Sequence, residues 1–485
     1  MTRAAEISDF GSTSRDELRA RGRALRDQVP LEAHGVWVAD PARDPAAVLA
    51  EEASERVPEL VSLRYARMSE SPFAYFRGGA AIMAADLAST PTTGINVQCG
   101  GDAHLLNFGL FASPERRVIF DINDFDETIA GPWEWDLKRL AASAHVAARG
   151  NGMDSAKGQQ AVVATVRSYA RQLDSLARHS TLDVWYSDVD ATQFAGRLQS
   201  KRRQREVSGA LRQADRRTNV RAFTKLTEVR DGRRVFVDMP PLMEHVADAS
   251  LETVMEFLAD YRDSLSPDHA HLLNQFHIVD AARRVVGVGS VGTRSFVLLG
   301  QGRADLDPLV LQVKEAQESV LARHVGPSTW THHGQRVVEG QRLMQAASDP
   351  FLGWSSDPTG RHYYVRQLWD MKGSADLASL SPGDLTQYSA LCAATLARAH
   401  ARAVDPAVLA GYCGGGNTLA NAIAGFSESY AAQSERDHAQ LVEALRADAA
   451  STRAEHGQAA GRAVTSAPAR APDPSAGSEP PGAQP

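Results

Sequence analysis

The chain has 485 residues, of which 43% are hydrophobic and 23% charged, and a formal net charge of -7. That length suits two lobes sharing a cleft; no run of about eighteen apolar residues offers a membrane span, and the charge gives no overall attraction to nucleic acid. Three separated cysteines, Cys99, Cys392 and Cys413, form no CxxC pair, which argues against a disulfide framework or a zinc site and leaves oxygen ligands for any metal. The opening "MTRAAEISDFGSTSRDELRA" lacks the apolar core of a secretory signal, so a cytoplasmic location without membrane or nucleic-acid partners is expected.

From Thr13 to Leu63 the pattern is helical and charged, with a loop at "ADPARDPAA". "SPFAYFRGGAAIMAADLA" opens on Ser-Pro and becomes an Ala-rich helix; Arg77 inside it needs an anion or carbonyl partner, a structural ion pair being the first expectation. "NFGLFAS", the turn "PERR" and "RVIFDIND" read as a β-hairpin, and "GPWEWDLKRLAASAHVAARG" as a helix entered through a Gly-Pro turn. Ala156 to Arg221 reads as helical, its basic run from Lys201 as a solvated face. A second hairpin turns at Asp231-Gly232, and a helix follows from Leu251 to Leu265.

Glycines and β-branched residues then mark a sheet-rich module in "RRVVGVGSVGTRSFVLLGQGRADLDPLVLQVKEA". A helix in "GQRVVEGQRLMQAAS", a strand pair in "FLGW" and "RHYYVRQLW", and helices from "DLTQYSALCAATLARAHARA" complete the pattern. The tail beyond about residue 450, rich in Ala, Pro, Ser and Gly, buries no core and is expected to be disordered.

Gly287, Gly289 and Gly292 form G-x-G-x-x-G, but "TRSFVLLG" continues as strand where a dinucleotide-binding fold needs a helix. A strand-turn-strand flap whose backbone N–H groups approach phosphate is expected instead. Only six of the 52 basic residues are lysines, and one of them, Lys314, lies on the apolar strand after the flap. There its compact ammonium suits phosphate. Glu339, on the next apolar-patterned helix, is the candidate to orient it, and Arg294 beside the flap is a candidate phosphate contact.

"GDAHLLN" and "VIFDINDFDET" supply what phosphoryl transfer needs: a carboxylate to position a hydroxyl, and a carboxylate plus an amide oxygen for Mg²⁺. Asp102 is the candidate base and Asn107 and Asp124 the metal ligands; Asp121 fits the strand position of the metal ligand equally well. His104 is read as a loop-positioning residue.

"GDAHLLN" resembles the G-D-x-H-x-x-N loop of aminoglycoside and choline phosphotransferases in the kinase-like superfamily. "INDFDETIAGPWEWDL" is similar to their metal-binding segment, which implies Asp124 as the metal ligand and Asp136 as a structural helix carboxylate. "RMSESPFAYFRGGAAIMAADLA", "GDAHLLNFG", "WDLKRLAAS", "VVGVGSVGTRSFVLL" and "LQVKEA" resemble an uncharacterised bacterial family, the domain of unknown function 2252, over most of residues 20 to 440. The catalytic-type motifs precede the glycine flap, the reverse of kinase order, and "YSALCAATLARAHA" resembles the helix that normally leads into them, so a circular permutation is expected.

The resulting expectation is an α+β, two-lobed, permuted kinase-like fold. Residues 1–270 form a mainly helical lobe, 271–368 a sheet-rich nucleotide lobe, 369–450 a hinge and completing helices, and 451–485 a tail. It would use ATP and Mg²⁺ to phosphorylate an acceptor whose identity the sequence leaves open. Nucleotide binding without transfer, transfer of AMP, and an oxygen-ligand metal hydrolase are the alternatives.

Overall fold

The computed structural model describes residues 13–189, 209, 219–245, 251–285, 291–303, 307–368 and 375–465. Gly287, Gly289, the basic residues from Lys201 to Arg217, and everything beyond residue 465 lie outside the described residues.

Proline punctuates the first helices. Pro45–Ser54, Pro58–Ser69 and Pro72–Gly78 each begin on a residue that lacks the N–H a first helical turn leaves unpaired. Asp44 and Ser71 cap two of them by accepting from Ala47 and Ala74 N–H. Ala80–Leu87 follows after Gly79.

The expected hairpin forms from β2 (Phe108–Ala112) and β3 (Val118–Ile122), and β1 (Asn96–Cys99) pairs with β4 (Ile129–Pro132). In these antiparallel registers Phe108 opposes Ile122 and Cys99 opposes Ile129, so residues 100–107 run alongside 123–128. The helix Trp133–Gly150 then starts directly after Pro132 and is buried almost throughout. It packs with Ser155–Leu176, Pro382–Ala401 and Pro406–Cys413 in a helical core. There Trp133 stacks on Tyr169 at 5.7 Å.

β5 (Thr227–Arg230) and β6 (Arg233–Phe236) form the hairpin at Asp231-Gly232, both of whose φ angles are positive, 53° and 74°, as a type I′ turn requires. β7 (Met243–His245), β8 (His277–Arg284), β9 (Ser295–Gln301), β10 (Pro308–Glu315), β11 (Gly353–Ser356) and β12 (His362–Gln367) make an antiparallel sheet in the order β11-β12-β10-β9-β8-β7. The sheet thus begins at Met243, ahead of the expected boundary at residue 271. The helix Leu251–Asp263 also belongs with it, burying Phe257 and Tyr261 against Leu311 and Val313.

Alternation along β10 sets the site. Leu309, Leu311 and Val313 pack toward Tyr261, whereas Val310 joins Phe223 and Phe236 in a core on the opposite side. A period of two therefore carries Gln312 and Lys314 on the Val310 face. β12 places Tyr364 directly opposite Lys314.

Described residues up to His438 cohere as one compact unit, and those from Ala439 form a second. The last helix is Asn417–Thr465, so helical structure runs past residue 450, where order is expected to end. Among the described residues no helix is long and apolar enough to cross a membrane.

Candidate active site

One face of the Trp133–Gly150 helix holds the loop that carries Asp102. Residues three and four apart share a face, and Asp136, Arg139 and Ser143 use theirs in sequence. Asp136 accepts from Gly100 N–H at 2.6 Å and Gly101 N–H at 2.9 Å, Arg139 Nε donates to Asp102 Oδ1 at 2.7 Å, and Ser143 Oγ accepts from Leu105 N–H at 3.2 Å. Asp136 is thus the helix carboxylate that the resemblance implies. Gly101 has φ +77°, and a Cβ there would stand 2.4 Å from the Glu127 carbonyl oxygen, so the loop closes on the 123–128 turn only with glycine.

Asn107 completes the loop by donating its side-chain amide to the Asp102 carbonyl at 2.7 Å, which orients the group and leaves its Oδ1 as an acceptor. Its own carbonyl receives Asn123 N–H at 2.8 Å, so the metal-ligand candidates Asn107 and Asp124 come from segments tied together by backbone. Asp102, His104, Asn107 and Asp124 line one cavity of about 390 Å³, together with Arg77 and Thr293.

Burial pushes the Asp102 carboxyl up to about 6, helped by the neighbouring Asp124, while Arg139 and Arg77 hold it down. His104 is buried beside Arg77 and Arg139, and both effects drive its imidazole far below the ordinary range. It is therefore neutral, and its 3.6 Å approach to Asp102 is no ion pair.

Lys314 is where the sheet meets this turn. It is 2% exposed, with Nζ 2.5 Å from Asp126 Oδ2 and 4.0 Å from Asp124 Oδ1. Burial disfavours its charge, but the two carboxylates outweigh that and hold its pKa above the ordinary value. Asp126 moves oppositely: burial would raise it, and Lys314 with the Tyr364 hydroxyl, which donates at 2.7 Å, brings it below the usual carboxylate range. The proton stays on the amine.

Three expected roles are corrected by this geometry. Glu339 does not orient Lys314: it pairs with Arg342 at 3.0 Å, one turn along its own helix, His333–Met344, and Asp126 takes the lysine. Asp121 is not a metal ligand candidate: it is buried in an ion pair with Arg398 at 2.5 Å and accepts Ala346 N–H at 2.9 Å, outside the cavity lining. Arg294 is held by Glu315, whose carboxylate accepts both its backbone N–H at 2.9 Å and its guanidinium at 3.2 Å. Arg77 departs from expectation as well, since among the described residues no carboxylate stands within ion-pair distance of it and its buried Nε has no hydrogen-bond partner.

β8 and β9, on either side of the glycine segment in sequence, pair antiparallel, and Gly287 and Gly289 of the expected flap lie outside the described residues. Gly292, at φ +94°, gives its carbonyl to Val57 N–H at 2.8 Å, and Val291 packs on Val57 and Leu60. The next residue, Thr293, borders the cavity that holds Asp102.

Several contributors escaped the sequence reading. Asp126 and Glu127 lie in the acidic stretch 121–127, and nothing in their local sequence pairs Asp126 with Lys314. Arg336 of the His333–Met344 helix binds the Thr128 carbonyl at 2.6 Å and the Asp126 and Gln317 carbonyls at 2.8 Å, stitching the acidic turn to the exit of β10. An arginine on an apolar helix face is the signal that could have found it. From 264 residues further on, His400 Nε2 lies 3.2 Å from Asp136 Oδ2, so the helix Pro382–Ala401 ends against the carboxylate that grips Gly100.

Among the described residues no three His, Cys, Asp or Glu side chains converge to hold a metal ion by themselves. Mg²⁺ keeps several waters and takes one or two carboxylates with substrate phosphates. The carboxylate of Asp124 and the free amide oxygen of Asn107 fit that donor set.

Fold and site together define a mixed α+β protein with a charged cleft bordered by helices and by the end of an antiparallel sheet. Residues 56–444 match the family described as "uncharacterized protein conserved in bacteria (DUF2252)", and the chain belongs to that family. No curated protein and no solved structure matches it.

Proposed function

We propose that the protein is a circularly permuted, kinase-like phosphotransferase that uses ATP with Mg²⁺. The observation that carries this is the meeting of Lys314 with Asp124 and Asp126, at 4.0 and 2.5 Å, beside a cavity that Asp102, Asn107 and Thr293 also line. A lysine on the third strand of a meander, with a glycine segment between the first two strands, is the kinase arrangement for phosphates. The permutation is supported by His400, which ends its helix at Asp136 and so at the backbone entering the Asp102 loop.

In this reading Lys314 binds the nucleotide phosphates as a point charge and Asp126 keeps it protonated and aimed. Asn107 and Asp124 would hold Mg²⁺, which neutralises charge on the triphosphate when bound. Asp102, fixed by Arg139, orients the acceptor hydroxyl and takes its proton. The hydroxyl oxygen forms a bond to the γ-phosphorus, the bond from that phosphorus to the β,γ-bridging oxygen breaks, and ADP leaves with the electron pair.

The test is a thermal-unfolding series with ATP and Mg²⁺, where nucleotide at a hundred times its dissociation constant adds about 2.7 kcal/mol. Transfer from γ-labelled rather than α-labelled ATP then separates phosphate from AMP transfer. No shift at millimolar nucleotide would defeat the proposal.

A further inference from the structure

Nine carboxylates and four arginines line the cavity, and one of those arginines, Arg77, is left without an ion-pair partner among the described residues. Arg64 is completely buried; Nη2 donates to Glu52 and to the Gly78 carbonyl, both at 3.0 Å, but Nε and Nη1 have no hydrogen-bond partner. Arg77, next to Gly78, has the buried and unpartnered Nε described above, and both arginines line the cavity.

The acids around them are already engaged. Asp126 is taken by Lys314, with Asp124 4.0 Å from the same amine; Glu127 accepts Val320 N–H, and Glu52 is taken by Arg64, Glu315 by Arg294, Asp102 by Arg139 and Glu51 by Arg323. Glu55 and Glu318 are exposed to water. Arg56, Arg64 and Arg323 in the cavity lining are paired with Glu52 and Glu51, whereas Arg77 has no carboxylate within ion-pair distance among the described residues, so its charge is left for an anion that enters the cavity. Arg77 also feels the charges of Asp102 and Asp124, which puts it beside the group that would take the acceptor's proton.

We infer that Arg77, backed by Arg64, docks a carboxylate or phosphate on the acceptor, and that the acceptor is therefore a small anionic alcohol. This rests on the phosphotransferase reading of the same cleft. Arg64 holds the Gly78 carbonyl and so fixes the end of the helix that presents Arg77. The anion sits on the arginines and the hydroxyl of the same molecule reaches Asp102. In the transfer step the hydroxyl proton passes to Asp102 and then to water, the new bond forms to the γ-phosphorus, and ADP departs.

The experiment uses the full chain and starts with the thermal shift produced by Mg²⁺ and a nonhydrolysable ATP analogue. Glycerate, glycerol phosphate, glycerol and ethanolamine are then titrated calorimetrically into the analogue-saturated protein. Glycerate or glycerol phosphate should bind at millimolar concentration while glycerol and ethanolamine give no heat; which anion binds identifies carboxylate or phosphate. Arg77→Gln should weaken that binding by about 10- to 100-fold, the worth of a charge-assisted hydrogen bond, and Arg77→Lys should restore part of it, with the analogue's thermal shift unchanged in both. Binding of ethanolamine or glycerol in place of the anions, unaltered anion affinity in Arg77→Gln, or no heat from any of the four would overturn the inference and leave the nucleotide reading standing. A wild-type protein with no shift from the analogue would remove the phosphotransferase reading, and this inference with it.

Discussion

Lys314 Nζ and Asp126 Oδ2 stand 2.5 Å apart although 188 residues separate them in the chain. The pair joins the end of β10 to the acidic turn before β4, where burial makes an unmatched charge expensive. Lys314→Met should therefore lower stability by about 3 kcal/mol, since breaking a buried pair strands the other charge. Adding Asp126→Asn should recover most of that loss while nucleotide binding stays absent. Urea denaturation of the single and double variants, with a nucleotide thermal shift on each, reads both effects; a double variant no more stable than Lys314→Met would show that the pair is not the unit.

In the proposed transfer reaction, protonation of Asp102 would set the pH dependence. Its carboxyl, raised to about 6, holds a proton below that pH and accepts one above it, so the transfer rate should rise through about pH 6 and then level. Asp102→Asn should abolish transfer and keep the nucleotide-induced thermal shift, because the amide retains shape but accepts no proton. A pH–rate profile of the wild type and one binding measurement on the variant suffice.

Glu127 supplies a stability counterpart. Burial pushes its carboxyl up to about 7, against the pull of Arg336 and of Val320 N–H. A carboxyl raised on folding keeps its proton in the native state while the unfolded chain loses it, so this group lowers stability as pH climbs from about 4.5 to 7. Glu127→Gln should erase that fall, matching wild type in acid and exceeding it above neutrality. Denaturation midpoints at four or five pH values test the sign, and a variant less stable than wild type at pH 8 would refute it.

Asp136→Ala should leave the Gly100 and Gly101 N–H groups and His400 without their acceptor. The loss expected for stranded buried donors is roughly 3 kcal/mol. Hydrogen exchange at Gly100 and Gly101 should accelerate together with that loss, whereas exchange along β10 should change only with global unfolding.

Local chemistry made much of this legible from sequence. The β2–β3 hairpin, the turn at Asp231-Gly232 and the helix after Gly131-Pro132 all rest on residues that set their own backbone, and Asp102, Asn107 and Asp124 follow from donor chemistry at fixed spacing. Partner choice did not follow. Glu339 has the right helix and the wrong rotation, since its neighbour Arg342, three residues on, captures it. Asp121 and Asp124 are indistinguishable in sequence because only the fold decides that one meets Arg398 and the other the cavity. Asp126 could be assigned to Lys314 only once the sheet was laid against the turn.

The distance along the chain between Asp126 and Lys314 also fixes an order of events during synthesis. At ribosomal rates of about 5–20 residues per second, roughly 10–40 s pass between the emergence of the acidic turn and that of its lysine. Through that interval Asp126 has only water for its charge, and the Asp102 loop waits longer still for His400, which lies 264 residues after its partner Asp136. A nascent fragment ending before β10 can hold the hairpin and the first helices but not a charged, desolvated cleft, so the site closes only after both Lys314 and His400 have been made.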